Sequence, residues 1–369
     1  MGHIFISFLF FNIILFIIYR HYKKGEFFIK KTDLFVYIIL FIIFGTYGGG
    51  EGDYFHYKEL VEEYNSLQDV LFYTGMEKQY TLLSHYVGGN YTLWRLVLFS
   101  IQFLGLGFFL YKAKLNTYTV LLSFTSFCLV TSVYGRAFWG AIYFFMGVYL
   151  LIEKKNPLYL IAIALCYFSH TSNIVLIALL PLAFINFKKW HVIVIVVVFG
   201  SLVALFRDAF TNLINTGGFD ADGAEYFNSR LQNYGNLDTK NYFGKAIGET
   251  ISIILRDTFV ITILFSVISL MFKNQNRYIS IYRPVRGVVN ITIGLVVLAS
   301  VILAASIGSA VLFYRIFDMT LFPICIILPC LRNSNHIRKK VYDIYIYLFI
   351  FYSEYGYLRD LYYAYADGV

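Results

Sequence analysis

The sequence predicts an all-α polytopic membrane protein with about twelve transmembrane helices, and three observations predict it. First, 59% of the 369 residues are apolar and only 14% are charged, with a mean hydropathy of +0.66; soluble domains sit at roughly 45–50% and about 25%. Second, apolar runs recur along the whole chain at lengths approaching the ~20 residues that cross a hydrocarbon core of about 30 Å. Third, lysines and arginines collect in alternate short loops, which is how a chain fixes its orientation in a bilayer. No segment between the runs exceeds about 45 residues or carries a core pattern of its own, so 1–369 reads as a single transmembrane domain.

The apolar runs fall, in order, at 3–19, 34–47, 91–111, 117–133, 137–152, 158–169, 172–187, 191–207, 249–272, 287–305, 313–331 and 341–358. The first lacks the basic leader and small-residue cleavage site of a signal peptide, so it reads as a retained helix. Gly48, Gly49, Gly50 and Gly52 stop the second and permit a tight backbone path. Several later runs are short for a crossing, 158–169 most of all. Basic loops at 20–31, 112–114, 153–157, 187–191, 273–286 and 332–340 punctuate the series and hold 19 of the 30 lysines and arginines. Those six loops are expected on the cytoplasmic side, with both termini outside. The outer side then carries two longer loops: 48–90, containing short amphipathic helices, and 208–245, rich in Gly, Asn, Asp and Tyr. On this reading 18 of the 22 acidic residues lie on the outer side, and any chemistry is expected there.

The same pattern excludes other classes. The net charge of +8 is explained by the loops, so no nucleic-acid partner is implied. Cys128, Cys166, Cys325 and Cys330 lie within apolar runs without a CxxC pair, which argues against a disulfide framework and a zinc site. The chain has no GxSxG elbow, Walker A loop, HExxH or GxGxxG, and its acids show no metal-ligand spacing. Neither a metal nor a cofactor is therefore expected.

The stretch 131–173 is where the candidates begin. Two apolar runs flank the basic knot Glu153-Lys154-Lys155-Asn156-Pro157, with Arg136 before the first and His170 after the second. If both runs cross, Arg136 and His170 end on one side. An arginine there is often only a snorkelling interfacial residue, but its planar fork of donors suits a diphosphate. His170 either caps the end of its helix or serves as a proton acceptor or phosphate ligand. Asp53, with Tyr54 beside it and Tyr57 one turn on, reads first as a cap for the loop helix. A carboxylate among glycines and tyrosines also fits sugar binding or removal of a hydroxyl proton, and Glu51 is a second candidate. Arg315 and Asp318 share a helix face and can pair, while Arg256 and Asp257 are the deepest charges on the outer half. Charges inside spans are functional suspects by default. Arg230, in the second outer loop, could close over a substrate.

The stretch 131–173 resembles the EpsG family of Wzy-like polysaccharide polymerases. The residues that carry the resemblance are Arg136 with Ala137 and Ala141, then Lys154 and Lys155, then Phe168-Ser169-His170-Thr171-Ser172. The segment Gly50–Tyr57 is similar to the early G-x-D-Y-x-x-Y motif, and Arg315 to a late arginine before an outer-facing helix. The sequence departs from the family pattern at Phe138, where glutamine is common, and at Ser169. The resemblance implies a fold like that of the C-type glycosyltransferases. It also implies an enzyme that joins undecaprenyl-diphosphate-linked oligosaccharide repeat units on the outer face of the bacterial cytoplasmic membrane. A flippase and a chain-length regulator would be its partners. Arg136, Arg315 and Arg256 would hold the diphosphate without a metal, and Asp53 or His170 would accept a proton. Glu51, Tyr54, Tyr57 and Arg230 are weaker candidates for sugar contacts. The alternatives are a flippase or transporter, which needs charges through both leaflets and often shows repeats, and a polysaccharide ligase or membrane acyltransferase. A scaffolding protein would not need arginines inside its spans.

Overall fold

The computed structural model describes residues 2–48, 51–72, 77–130, 136–154, 156–170, 173–185, 262, 285–299, 316, 318–333 and 338–366, with 51–56 and 136 among those described by their backbone alone. Regular structure among these residues is helical: α1 (Gly2–Lys23), α2 (Lys31–Tyr47), α3 (Glu51–Glu63), α4 (Leu67–Phe72), α5 (Lys78–Tyr86), α6 (Tyr91–Lys112), α7 (Tyr118–Phe127), α8 (Arg136–Tyr149), α9 (Leu158–Ser169), α10 (Ile174–Ala178), α11 (Val285–Ala299), α12 (Leu321–Asn333) and α13 (Lys339–Ala366). The chain forms two compact units, one of Met1–Ala178 with Cys325–Val369 and one of Leu179–Ile324.

Two of the described helices are long and apolar enough to cross a membrane, Ile4–Lys23 and Tyr91–Lys112, and the other apolar helices are shorter. The outward stripe of α6 is itself apolar: Leu93, Leu96, Ile101, Leu104 and Phe108 are exposed. On a soluble helix that face would be polar; here it suits contact with lipid. The expected spans at 191–207 and, apart from residue 262, 249–272 lie outside the described residues, as does the loop 208–245. The expected span at 172–187 is α10 followed by a 3-10 turn, Leu180–Phe184. Pro181 accounts for the break, because it lacks an N–H and its ring crowds the preceding turn.

In the first unit, α7 is the central helix, with every residue from Tyr118 to Phe127 buried. Its hydroxyls are satisfied locally: Thr125 and Ser126 donate to the carbonyls of Leu121 and Leu122, each at 2.8 Å. Tyr342 of α13 donates to the Thr119 carbonyl at 2.9 Å and lies 3.0 Å from the Ser123 hydroxyl. Helices α2 and α6 run antiparallel and touch through glycines. A Cβ on Gly45 would meet the Phe99 ring at 2.7 Å, and one on Gly107 would meet Ile38 at 2.8 Å. Small residues let helix backbones approach closely where lipid offers no hydrophobic drive.

The basic turns of this unit gather at one end. Phe28 bridges Thr117, and Ile29 N donates to the Asn116 carbonyl at 2.9 Å, so the α1–α2 and α6–α7 turns are joined. Lys23 pairs with Asp343 at 3.3 Å, and Tyr22 donates to the same carboxylate at 2.9 Å, which brings the start of α13 to that end. The left-handed Gly25, φ +80°, turns the chain out of α1 there. His21 and Glu26 close the same turn at 2.8 Å, and that contact holds the Glu26 carboxyl below its ordinary range.

Candidate functional site

Helices α8 and α9 form a tight antiparallel hairpin, the most extensive helix pair among the described helices of the first unit, with its open end away from the basic turns. Glycines permit it: a Cβ on Gly147 would sit 3.1 Å from Ala162 Cβ and 3.4 Å from the Tyr159 carbonyl. One on Gly140 would collide with the Asn173 amide and lie 2.9 Å from the Cys166 carbonyl. A register that sets Gly147 against Tyr159 and Gly140 against Cys166 brings position 136 level with position 170. Arg136 opens α8 and His170 ends α9, so the two stand at the same end of the hairpin.

The backbone at His170 is extended, φ −165° and ψ 134°, and ends α9 abruptly. Asn173 fixes the turn that follows: its N–H donates to the His170 carbonyl at 3.0 Å and its Nδ2 donates to the Cys166 carbonyl at 3.1 Å. The remaining constraint comes from the segment between α2 and α6. Gln79 Nε2 donates to the Phe168 carbonyl, and the Tyr80 hydroxyl donates to the Ser169 carbonyl at 2.8 Å. Glu77, which opens α5, places Oε1 3.4 Å from His170 Nε2. Three successive residues at the end of α9 are thus held by the first turn of α5. The contacts from Gln79 and Tyr80 satisfy carbonyls that the end of any helix leaves unpaired.

Helix α5 is itself anchored. Trp94 Nε1 donates to the Tyr80 carbonyl at 3.1 Å, and Ser84 donates to the Val61 carbonyl at 2.7 Å. Tyr80, Trp94, Tyr91, Leu60 and Val61 form a buried apolar cluster. Tyr57 packs on this cluster with its ring 6.4 Å from that of Trp94. Tyr80 therefore ties the start of α6 to the end of α9, which puts the α2–α6 and α8–α9 ends together. Earlier in the same segment, α4 begins with a capping box. Ser66 N donates to Asp69 at 2.8 Å, Asp69 N donates back to the Ser66 hydroxyl at 3.2 Å, and that hydroxyl donates to the Asp69 carboxylate at 2.6 Å. The Ser66 hydroxyl and N–H hold the Asp69 carboxyl below its ordinary range.

Arg95 is buried in α6, only 3% exposed. Its Nε donates to the Gly45 carbonyl at 3.0 Å, and its Nη2 donates to the carbonyls of Gly45 and Gly48. Its guanidinium also lies 5.6 and 5.5 Å from the rings of Tyr91 and Phe99. The arginine caps the end of α2 at Gly48. Helix α3 starts at Glu51, so Glu51, Asp53 and Tyr54 belong to its first turn and Asp53 is a helical residue, not the cap before the helix.

The structure brings Arg136, His170 and the α3 segment of Glu51, Asp53, Tyr54 and Tyr57 to one end of the first unit. Arg230, Arg256 and Arg315 lie outside the described residues. Sequence reasoning missed Glu77 and Arg95. Arg95 carried a signal, a charge inside an apolar run, which is a default functional suspect. Glu77 carried none, because its pairing with His170 arises only when α5 folds back on α9.

Apolar helices, two of them long enough to cross a membrane, and the exposed apolar stripe of α6 define a helical membrane protein. The chain matches the EpsG family over residues 30–366 and belongs to that family of Wzy-like polysaccharide polymerases. Membership gives it a polymerase-type role in polysaccharide biosynthesis. No curated protein and no solved structure matches the chain.

Proposed function

We propose that the protein joins undecaprenyl-diphosphate-linked oligosaccharide repeat units on the outer face of the bacterial cytoplasmic membrane. The observation that carries this reading is the polarity of the first unit. Its basic turns gather at one end, the side the positive-inside rule assigns to the cytoplasm, and Arg136 and His170 stand at the other. In the proposed reaction an acceptor sugar hydroxyl attacks the anomeric carbon of the donor. The new C–O bond forms as the bond from that carbon to the carrier diphosphate breaks, and the diphosphate leaves with the electron pair. Arg136 offsets the charge developing on the leaving group, the work otherwise given to a metal; Arg256 and Arg315 are proposed for the same work from sequence alone. His170 accepts the hydroxyl proton. Asp53 is the competing base, and comparing His170→Gln with Asp53→Asn separates the two.

The test is the length profile of surface polysaccharide in cells lacking the protein, complemented with wild type or Arg136→Ala. Single repeat units rescued only by wild type are expected, because losing one charge-stabilising donor costs about 10²–10³-fold in rate. Full-length polymer with Arg136→Ala would remove the central residue of this reading. Long chains stranded on the lipid carrier would make the protein a ligase, and units trapped inside the cell would make it a flippase.

A further inference from the structure

The structure assigns Glu77 a role in the chemistry: we infer that it is the positioning residue of a Glu77–His170 pair. The inference rests on the reading of His170 as proton acceptor. A carboxylate against one ring nitrogen selects the tautomer with its proton there and its lone pair on the other, and it stabilises the imidazolium that forms on proton uptake. With Glu77 Oε1 3.4 Å from His170 Nε2, the selected tautomer carries its proton on Nε2 and accepts at Nδ1. In the transfer step the acceptor hydroxyl proton passes to Nδ1 while the hydroxyl oxygen bonds the anomeric carbon.

Three observations distinguish this pair from an ordinary surface contact. The side chains are 23% and 14% exposed, so their interaction is less screened than that of a solvated pair. The same chain holds a solvated comparison in His21 and Glu26, 31% and 42% exposed, which closes a turn at the basic end. Second, Glu77 begins α5 with its backbone carbonyl, which accepts from Tyr80 N at 2.9 Å, yet its side chain caps nothing in that helix. Third, both partners are fixed from outside the pair. Gln79 and Tyr80 hold the carbonyls of Phe168 and Ser169, Trp94 holds Tyr80, and Asn173 holds the His170 turn. The segment between α2 and α6 is then a wall of the site, contributing a residue through His170.

The experiment uses membranes bearing the full-length protein, supplied with lipid-linked repeat units extracted from cells that lack it, and follows polymerisation against pH. Variants Glu77→Gln, Glu77→Asp, Tyr80→Phe and His170→Gln are compared, each with its melting temperature in detergent. A carboxylate favours the protonated imidazole beside it, so its removal moves the acid limb of the pH–rate profile to lower pH. Glu77→Gln is expected to show that move and a loss of about 100-fold in kcat with KM within about 2-fold of wild type. Glu77→Asp should recover part of the rate and keep the wild-type limb. Tyr80→Phe, which removes the hydrogen bond to the Ser169 carbonyl but keeps the carboxylate, should lower the melting temperature without moving the limb. If His170→Gln is inactive while Glu77→Gln has the wild-type rate and profile, the inference about Glu77 falls and the base assignment stands. If Glu77→Gln loses rate only as its melting temperature falls, with the limb unmoved, the contact is structural and the inference is overturned. Full activity in His170→Gln would overturn the base assignment and this inference with it.

Discussion

At Arg95 a fully charged side chain meets backbone carbonyls. The fork spans Gly45 and Gly48, two acceptors at the end of α2, while Tyr91 and Phe99 offer their ring faces to the cation. Removing it leaves those carbonyls without this donor in a dry interior, at a cost of about 1–3 kcal/mol for each group that finds no other partner. Arg95→Met is therefore expected to lower the melting temperature in detergent, and Arg95→Lys to fall between it and wild type, because an ammonium keeps the charge but lacks the planar fork. An Arg95→Met protein that melts with wild type would mean that water takes over the capping. The residue also shows what a sequence yields at this scale. Its position inside the run 91–111 marks it, but only the fold says that it caps a helix. His170 was legible as a candidate from its place after a short apolar run. Its partner Glu77 was not, since no local pattern connects residues 93 positions apart.

The α8–α9 hairpin is where element packing controls residue chemistry. Its two helices were legible as apolar runs around a basic knot, and their ends were set by Arg136, Pro157 and His170. The closeness of the pair was not legible, since a glycine in an apolar run is a signal only when its neighbour is known. Gly140 and Gly147 make a graded test. At Gly147 an added methyl meets Ala162 Cβ at 3.1 Å, a side-chain contact that small adjustments relieve. At Gly140 it meets the Asn173 amide and the Cys166 carbonyl, and backbone cannot move aside cheaply. Gly140→Ala is expected to destabilise by about 1–3 kcal/mol, as overpacking generally does, and to disturb the turn that carries His170. Gly147→Ala should cost less and leave polymer length near wild type. Melting temperature and the polysaccharide profile check both. Equal effects at the two positions would mean that the hairpin does not depend on its close end.

For the whole molecule, the all-helical class was legible from composition and from the spacing of the runs. The 3-10 turn after Ala178 was visible only as Pro181, and α3, α4 and α5 fold between α2 and α6 on tertiary contacts that an amphipathic pattern does not specify. The orientation rests on charge alone: basic turns retained on one side, and acids and site residues on the other. Helix α6 gives the most direct check, because it is one of the two described helices long enough to cross and its flanks have opposite characters. Tyr86, 78% exposed, precedes it on the site side, and Lys114, also exposed, follows it in a basic turn. A single cysteine replaces each residue in turn, with Cys330, the one native cysteine that is not fully buried, changed to serine as background. A membrane-impermeant thiol reagent added to intact cells should label Tyr86→Cys and spare Lys114→Cys until the membrane is opened. The reverse result would put Arg136, His170 and Glu77 in the cytoplasm, where a polymerase of exported repeat units has no substrate, and the proposed reaction would fail with the orientation. Labelling at both positions in intact cells would mean that α6 does not cross, and the exposed stripe from Leu93 to Phe108 would need another apolar partner.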